Sequence, residues 1–209
     1  MNLILLGAPG AGKGTQAEII SKKFDIQHIS TGEILRDEIK KKSKLGEKAI
    51  KFVESGKLVP DEIIIEIIKK IIGSRAKNGF LMDGFPRNLK QAKMFLKVLD
   101  QLGIKLDRVI NIIVDNNEVI ERLSTRRTCS VCNNVFSVDS DEDNTECPKC
   151  RSKSIKRKDD DPEVIEHRLE VYEKESRPLT DFYTGEGLLV NIDGSGNEKE
   201  ITERILKFL

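Results

Sequence analysis

The sequence predicts an α/β fold: a five-stranded parallel sheet with helices on both faces, carrying two insertions. Apolar strand signals recur at Leu3 to Leu6, Gln27 to Ser30, Phe80 to Met82, Val109 to Val114 and Leu188 to Ile192. The segments between them carry helical periodicity, the pattern of parallel strands joined by crossover helices. The 209 residues are enough for one such domain with insertions, and no internal repeat interrupts the alternation.

The first strand breaks into Gly7-Ala8-Pro9-Gly10-Ala11-Gly12-Lys13-Gly14-Thr15. Glycines let consecutive N–H groups turn inward, the helix beginning at Lys13 adds its positive end, and the lysine ammonium can reach outer phosphates. Gly10 to Thr15, that is Gly10, Ala11, Gly12, Lys13, Gly14 and Thr15, therefore read as a phosphate cradle rather than as a ligand-free turn. Gly14 stands where the general motif places a Ser or Thr magnesium ligand, and the hydroxyl comes one residue later at Thr15.

Helices are expected over residues 13–24, 31–42, 44–54, 61–73, 88–101, 116–126, 162–175, 177–185 and 197–208. Ser30-Thr31-Gly32-Glu33 reads as a capping box that opens a run of helices without a strand, and Leu58-Val59-Pro60-Asp61 reads as its exit turn. Asp83-Gly84-Phe85-Pro86-Arg87 follows the third strand, at the sheet end where open α/β folds bind ligands. Asp83 is placed to hold magnesium through water and Arg87 to clamp a phosphate with its planar fork. Taken singly, each also reads as a helix cap or a surface charge.

The segment Thr128 to Lys158 is polar and poor in large apolar residues, so it needs a staple in place of a core. All four cysteines lie there, as Cys129-x-x-Cys132 and Cys147-x-x-Cys150, separated by fourteen residues. Four thiolates suit a structural zinc with no open coordination position, and a reducing cytosol disfavours the alternative of disulfides. Asp139 to Asp143 faintly resembles a calcium loop, but Asn144 and Cys150 stand where that loop needs Gly and Glu, so a solvated turn is expected.

Arg122 and Arg126 are expected four apart on one helical face before this segment, and Arg157 and Arg168 flank its far end. Each alone reads as a solvated charge. Together they bracket a flap whose closure would bring guanidinium groups onto phosphates and exclude water. Asp161-Pro162 reads as the N-terminus of the helix carrying Arg168. His28 and His167 read as structural or solvated, since neither has a nearby Ser, Cys or acid constellation that implies a triad.

Lys and Arg number 36 against 35 Asp and Glu, a net charge of +1. No global field favours nucleic acid or an anionic membrane, and no segment is long and apolar enough to span a bilayer. The expectation is a cytoplasmic protein.

These motifs resemble, over nearly the whole chain, the zinc-bearing bacterial adenylate kinases among the nucleoside monophosphate kinases. The resemblance implies a core of residues 1–29, 60–126 and 159–209, an AMP-binding domain at 30–59 and a zinc lid at 127–158. It implies ATP contacts by Gly10 to Thr15, Arg122, Arg126, Val135, Phe136 and Gly196 within Gly194-Ser195-Gly196. It implies AMP contacts by Thr31, Arg36, Lys57, Leu58, Val59, Gly84, Phe85, Pro86, Arg87, Gln91, Arg157 and Arg168. Lys13, Arg87, Arg126, Arg157 and Arg168 would act in catalysis, with Mg2+ accompanying ATP, and AMP, ATP and ADP as the partners of a monomer. The chain departs from the family in Asn133-Asn134-Val135-Phe136-Ser137 after the first cysteine pair, in a shorter spacing between the pairs, and in Gly196 where lysine is common. A kinase of the same fold acting on UMP or CMP is the nearest competitor, and Thr31 and Gln91 favour AMP by resemblance. A nucleic-acid-binding zinc module fused to an ATPase is opposed by the near-neutral charge and the lack of a basic patch interleaved with aromatic residues.

Overall fold

The computed structural model describes residues 1–75, 78–138 and 145–209, without the side chains of 74 and 75. The acidic stretch from Asp139 to Asp143 lies outside the described residues. Five parallel strands form the main sheet: β1 (Asn2–Leu6), β2 (Gln27–Ser30), β3 (Phe80–Asp83), β4 (Arg108–Ile113) and β8 (Leu189–Asp193), in the order β2-β3-β1-β4-β8. Alternation along β1 sends its side chains to two different cores, as a sheet covered on both faces requires. Ile4 and Leu6 join Phe80, Met82, Phe95 and Tyr183 on one face. Leu3 and Leu5 join Ala17, Ile20, Ile110, Ile201 and Ile205 on the other.

The helices α1 (Lys13–Phe24), α2 (Thr31–Lys40), α3 (Lys44–Glu54), α4 (Asp61–Arg75), α5 (Leu89–Gln101), α6 (Asn116–Ser124), α7 (Pro162–Val171), α8 (Pro178–Gly185) and α9 (Glu198–Leu206) follow the expected order. Several start on side-chain caps that satisfy otherwise orphaned N–H groups: Ser43 to Gly46 N, Asn88 to Gln91 N and Asp115 to Asn117 N. Ser30 accepts from Glu33 N at the start of α2, and Asn197 and Glu200 form a reciprocal box at the start of α9. Between α7 and α8 the chain widens into a π-helical turn at Tyr172–Ser176. Pro178 has no N–H to donate, and the Arg177 N–H reaches back five residues to Tyr172 O.

Two linked expectations need correction: the helix does not reach residue 126, and Arg122 and Arg126 do not share a helical face. The helix expected over 116–126 ends at Ser124, and Arg126 instead opens a strand, β5 (Arg126–Cys129). That strand pairs antiparallel with β6 (Val135–Ser137) and β7 (Ser154–Ile155), so Arg126 lies opposite Ser137 and Thr128 opposite Ile155. Pairing with residues up to about thirty positions away outweighs the local helical pattern, an instance of tertiary context overriding propensity. The flap therefore contains a small three-stranded sheet, yet none of its described residues belongs to the apolar clusters of the molecule.

No helix among the described residues is long and apolar enough to cross a membrane. Order in the sheet positions the ligand-binding end. The chain leaves β1 toward β2 and β3 on one side and later crosses to β4 on the other, so the loops after β1, β3 and β4 meet over a topological switch point.

Phe95 of α5 is fully buried, with its ring centroid 6.0 Å from Phe80 and 5.2 Å from Phe85, both edge-on. Phe95→Ala removes these contacts and leaves a cavity behind the segment that carries Arg87. A loss of about 3–5 kcal/mol is expected in chemical denaturation, and a loss below about 1 kcal/mol would show that this cluster does not support the fold.

Candidate active site

The loop after β1 is built on glycine. Gly7, Gly10 and Gly12 have φ of 140°, 83° and 86°. A Cβ on Gly7 would lie 2.5 Å from Ile112 O, and one on Gly10 would lie 2.9 Å from Leu123 Cγ. Only glycine allows the loop to fold this closely over β4 and α6. Lys13 begins α1, and its ammonium donates to Gly7 O at 2.8 Å and Ala8 O at 2.7 Å. Desolvation pulls Lys13 down to about 8; Asp83 opposes this, while Arg87, Arg168 and Arg126 reinforce it.

Asp83 ends β3, directly beside Ser30 of β2 and Leu5 of β1. Burial pushes its carboxyl up, but His28, Lys13 and Arg87 together outweigh burial and hold it below the usual range. His28 has a partner that the sequence did not reveal. Its Nε2 lies 3.7 Å from Asp83 Oδ2; desolvation lowers the imidazole pKa, but Asp83, Glu33 and Glu18 together outweigh it and raise the pKa. Fifty-five positions separate the two residues, and only the pairing of β2 with β3 brings them together. A Cβ on Gly14 would sit 3.5 Å from Asp83 Oδ2, so the glycine leaves open the space in front of this carboxylate.

Four arginines converge over the loop. Arg126 forms a bidentate pair with Asp160, Nε to Oδ2 at 2.8 Å and Nη2 to Oδ1. Arg168 lies 3.2 Å from the same Asp160 carboxylate and 3.1 Å from Asp159, and donates to Asp159 O at 2.7 Å. Arg157 donates to Thr128 Oγ1 at 2.8 Å. Burial, reinforced by Arg36 and Arg126, pulls Arg157 down to about 9, and enclosure with the Arg168 charge pulls Arg87 to about 10. Asp160 is wholly buried. Asp159 and Asp160 escaped the sequence reading, although the run Lys158-Asp159-Asp160-Asp161 beside Arg157 carried the signal.

On the opposite wall Thr31 Oγ1 and Arg87 Nε both donate to Gly84 O at 2.8 Å. Gln91 is buried behind Arg87, accepting the Arg87 N–H at 2.7 Å and donating to Asp61 at 2.8 Å. Arg36, Leu58, Gly84 and Pro86 line the cleft, whereas Lys57 is exposed outside its lining and Val59 and Phe85 are buried. At the far end Arg122 donates to the Glu118 carboxylate and to Gly194 O at 2.9 Å. Val135, Phe136 and Gly196 line that end, as do Thr15 and most of the glycine loop; Ala11 is buried beneath it. The cleft encloses about 1000 Å³. Two contacts join its two flanking segments directly: Lys40 Nζ to Ser130 O at 3.3 Å and Lys158 Nζ to Glu54 Oε1 at 2.9 Å.

The four cysteine sulfurs lie within 4.8 Å of one another. Separations of 3.4 Å for Cys129–Cys150, 3.5 Å for Cys132–Cys150 and 3.6 Å for Cys132–Cys147 are too long for S–S bonds. They approach the edge of a tetrahedron with metal–sulfur bonds of about 2.3 Å. Each pair forms a similar turn: Asn133 N donates to Cys129 O, Arg151 N donates to Cys147 O, and Asn133 and Arg151 share a φ of 58°. N–H groups of Val131 and Cys132 point at Cys129 Sγ, both at 3.4 Å, which favours the thiolate. The donor set fits a tetrahedral thiophilic metal.

A family model described as adenylate kinase matches residues 5–188. The chain is 48% identical to the adenylate kinase of Caldicellulosiruptor bescii, across 100% of this chain and 99% of the relative. It is 45% identical to that of Caldanaerobacter subterraneus across 100% and 96%, and 44% identical to that of Finegoldia magna across 99% and 97%.

An anion bound at the loop will raise the Lys13 pKa from its depressed value of about 8, so binding takes up a proton above that pH. Affinity for tripolyphosphate should therefore fall as pH rises from about 8 toward 10, more steeply than in Lys13→Met. Equal pH slopes for the two proteins in a calorimetric titration would remove Lys13 from the anion site.

Proposed function

The chain belongs to the adenylate kinase family and catalyses reversible phosphoryl transfer between ATP and AMP to give ADP, and we propose that its own residues achieve this by alignment and charge stabilisation. The observation that carries the reading is the convergence of Lys13, Arg87, Arg126, Arg157 and Arg168 on one cleft beside a glycine phosphate loop. A loose phosphoryl transition state needs cations around its oxygens and an in-line approach, and little acid–base work.

In this mechanism the Lys13 ammonium exchanges the Gly7 and Ala8 carbonyls for the β- and γ-phosphates of ATP. Arg126 and Arg168, aimed by the buried Asp160, meet the transferring group from one side. Arg87, braced by Gln91 and Gly84, holds the AMP phosphate on the other. Arg157 joins from the lid. The guanidinium forks arrive already oriented, so little reorganisation remains at the moment of transfer. Magnesium, bound with ATP, supplies further neutralisation of phosphate charge. Asp83, ionised and facing the cleft, would hold it through water in the space that Gly14 leaves open.

Arg122 is assigned to stack on the ATP adenine, in the cleft that Val135, Phe136 and Gly196 also line. Thr31, Arg36, Lys57, Leu58, Val59, Gly84, Phe85, Pro86 and Gln91 are assigned to AMP binding or its support. Residues 30–59 act as the AMP-binding domain and 127–158 as a lid closing over the core. Cys129, Cys132, Cys147 and Cys150 hold a structural zinc that takes no part in transfer, because four thiolates fill its coordination sphere. The protein acts as a cytoplasmic monomer without nucleic acid, consistent with its net charge of +1.

Lys13→Met should remain folded and lose turnover by about 10²-fold or more, as when a preorganised charge-stabilising group is removed. Near-normal turnover would take the loop out of the catalytic account. In a panel of AMP, CMP, UMP and GMP with ATP as donor, AMP should be phosphorylated fastest at matched subsaturating concentration.

The cysteine assignment has a separate readout. Metal analysis should find one zinc per chain, and zinc-finger peptides suggest about 10–16 kcal/mol of apparent binding energy, less the cost of ordering the lid. Chelation, or Cys147→Ser with Cys150→Ser, should lower thermal stability sharply while substantial activity persists at temperatures where the lid stays folded. Unchanged stability in metal-free protein would refute the structural role.

A further inference from the structure

The loop joining β8 to α9 is held at three consecutive carbonyls. Arg204 of α9 donates through Nη1 to Asp193 O at 2.9 Å and to Ser195 O at 2.6 Å. Arg122 takes the carbonyl between them, Gly194 O, at 2.9 Å. The loop N–H groups are also engaged: Gly194 N with Ile113 O at 2.8 Å, Ser195 N with Asp193 Oδ1 at 3.0 Å and Asn197 N with Glu200 Oε2 at 3.0 Å. Gly196 lines the cleft with φ of 92°, and among the described residues its carbonyl accepts no hydrogen bond.

We propose that Arg204 is a positioning residue for the donor nucleotide: its two bonds fix the loop so that the one unengaged carbonyl, Gly196 O, is presented to the donor base. Arg204 itself lies outside the cleft lining. Its helix is anchored by Ile201 and Ile205, both buried in the core beneath β4 and β8, so the guanidinium is held from a rigid base. A loop containing Gly194 and Gly196 has many conformations to lose, and fixing it beforehand lowers the cost of binding. A backbone carbonyl accepts from the exocyclic amino group of adenine and opposes the carbonyl oxygen that guanine carries at the same position. Arg204 thereby contributes both to ATP affinity and to the choice of ATP over GTP. The inference rests on reading this end of the cleft as the donor-base site.

The test is steady-state kinetics of Arg204→Gln with ATP and GTP as donors and AMP as acceptor. KM for ATP should rise roughly tenfold, as expected when charged hydrogen bonds that order a binding loop are lost. The preference for ATP over GTP should fall with it, while KM for AMP and kcat at saturation stay near wild type. Arg204→Lys, which keeps the charge and a donor, should recover part of the loss. If the thermal midpoint falls, the same measurements are made well below it, and the ratio of the two KM values remains the readout. An unchanged KM for ATP, or an equal rise for both substrates, would overturn the role of Arg204. Arg122→Ala separates the two levels. If it raises KM for ATP while Arg204→Gln does not, the positioning role alone fails; if neither variant moves KM for ATP, the donor-base site itself is misassigned and the proposal falls with it.

Discussion

Enclosure of several cations in one cleft is the constraint on which the site depends. Lys13 at about 8, Arg157 at about 9 and Arg87 at about 10 all sit well below their ordinary values. Enclosure is the largest cause in each case, and neighbouring positive groups add to it. Like charges about 4 Å apart repel by about 4 kcal/mol at the effective dielectric of a protein surface, so such a cluster stands only where buried acids compensate it. Asp83, Asp159 and Asp160 do so in part, and the remainder is a local positive potential in a molecule whose total charge is only +1. In the proposed mechanism, phosphates entering the cleft relieve it.

The compensating acids also set geometry. Asp160 engages two arginines, from β5 and α7, that are forty-two positions apart in sequence, so one wholly buried carboxylate aligns the flap with the helix behind it. Removing one partner of such a group would leave an unpaired buried charge, a far larger cost than losing a surface pair. His28 and Asp83 repeat the logic on a smaller scale between adjacent strands. Backbone atoms carry the same task elsewhere: Gly84 O receives both Thr31 and Arg87, and the β8–α9 loop is pinned at successive carbonyls.

The flap solves a different problem. Its described residues bury Arg127, Cys129, Cys147 and Ser154 but contribute to none of the apolar clusters, and four clustered cysteines stand where the main sheet has an apolar core. A segment without its own core can change position relative to the sheet without disrupting the fold, as the proposed lid role requires. Lys40 to Ser130 and Lys158 to Glu54 are exposed polar contacts, weak enough to form and break with the proposed lid motion.

The chain alone determined the five strands, their parallel arrangement, the glycine loop before α1 and the two cysteine turns, because each rests on residues near one another in sequence. Apolar runs mark strands, Gly-x-Gly-Lys marks the cradle, and Cys-x-x-Cys places two sulfurs on one turn. What depended on distant partners was not legible. Arg126 reads locally as the end of a helix and becomes a strand because Ser137 pairs opposite it. His28 gains an acid only through the β2–β3 register, Gln91 turns its amide to Asp61 and Arg87, and Arg204 reaches the β8 loop only once α9 packs on the sheet. Side-chain type and spacing announce which chemistry a segment can carry. Which charges meet, and which carbonyls remain unengaged, is decided by packing between elements that local sequence does not connect.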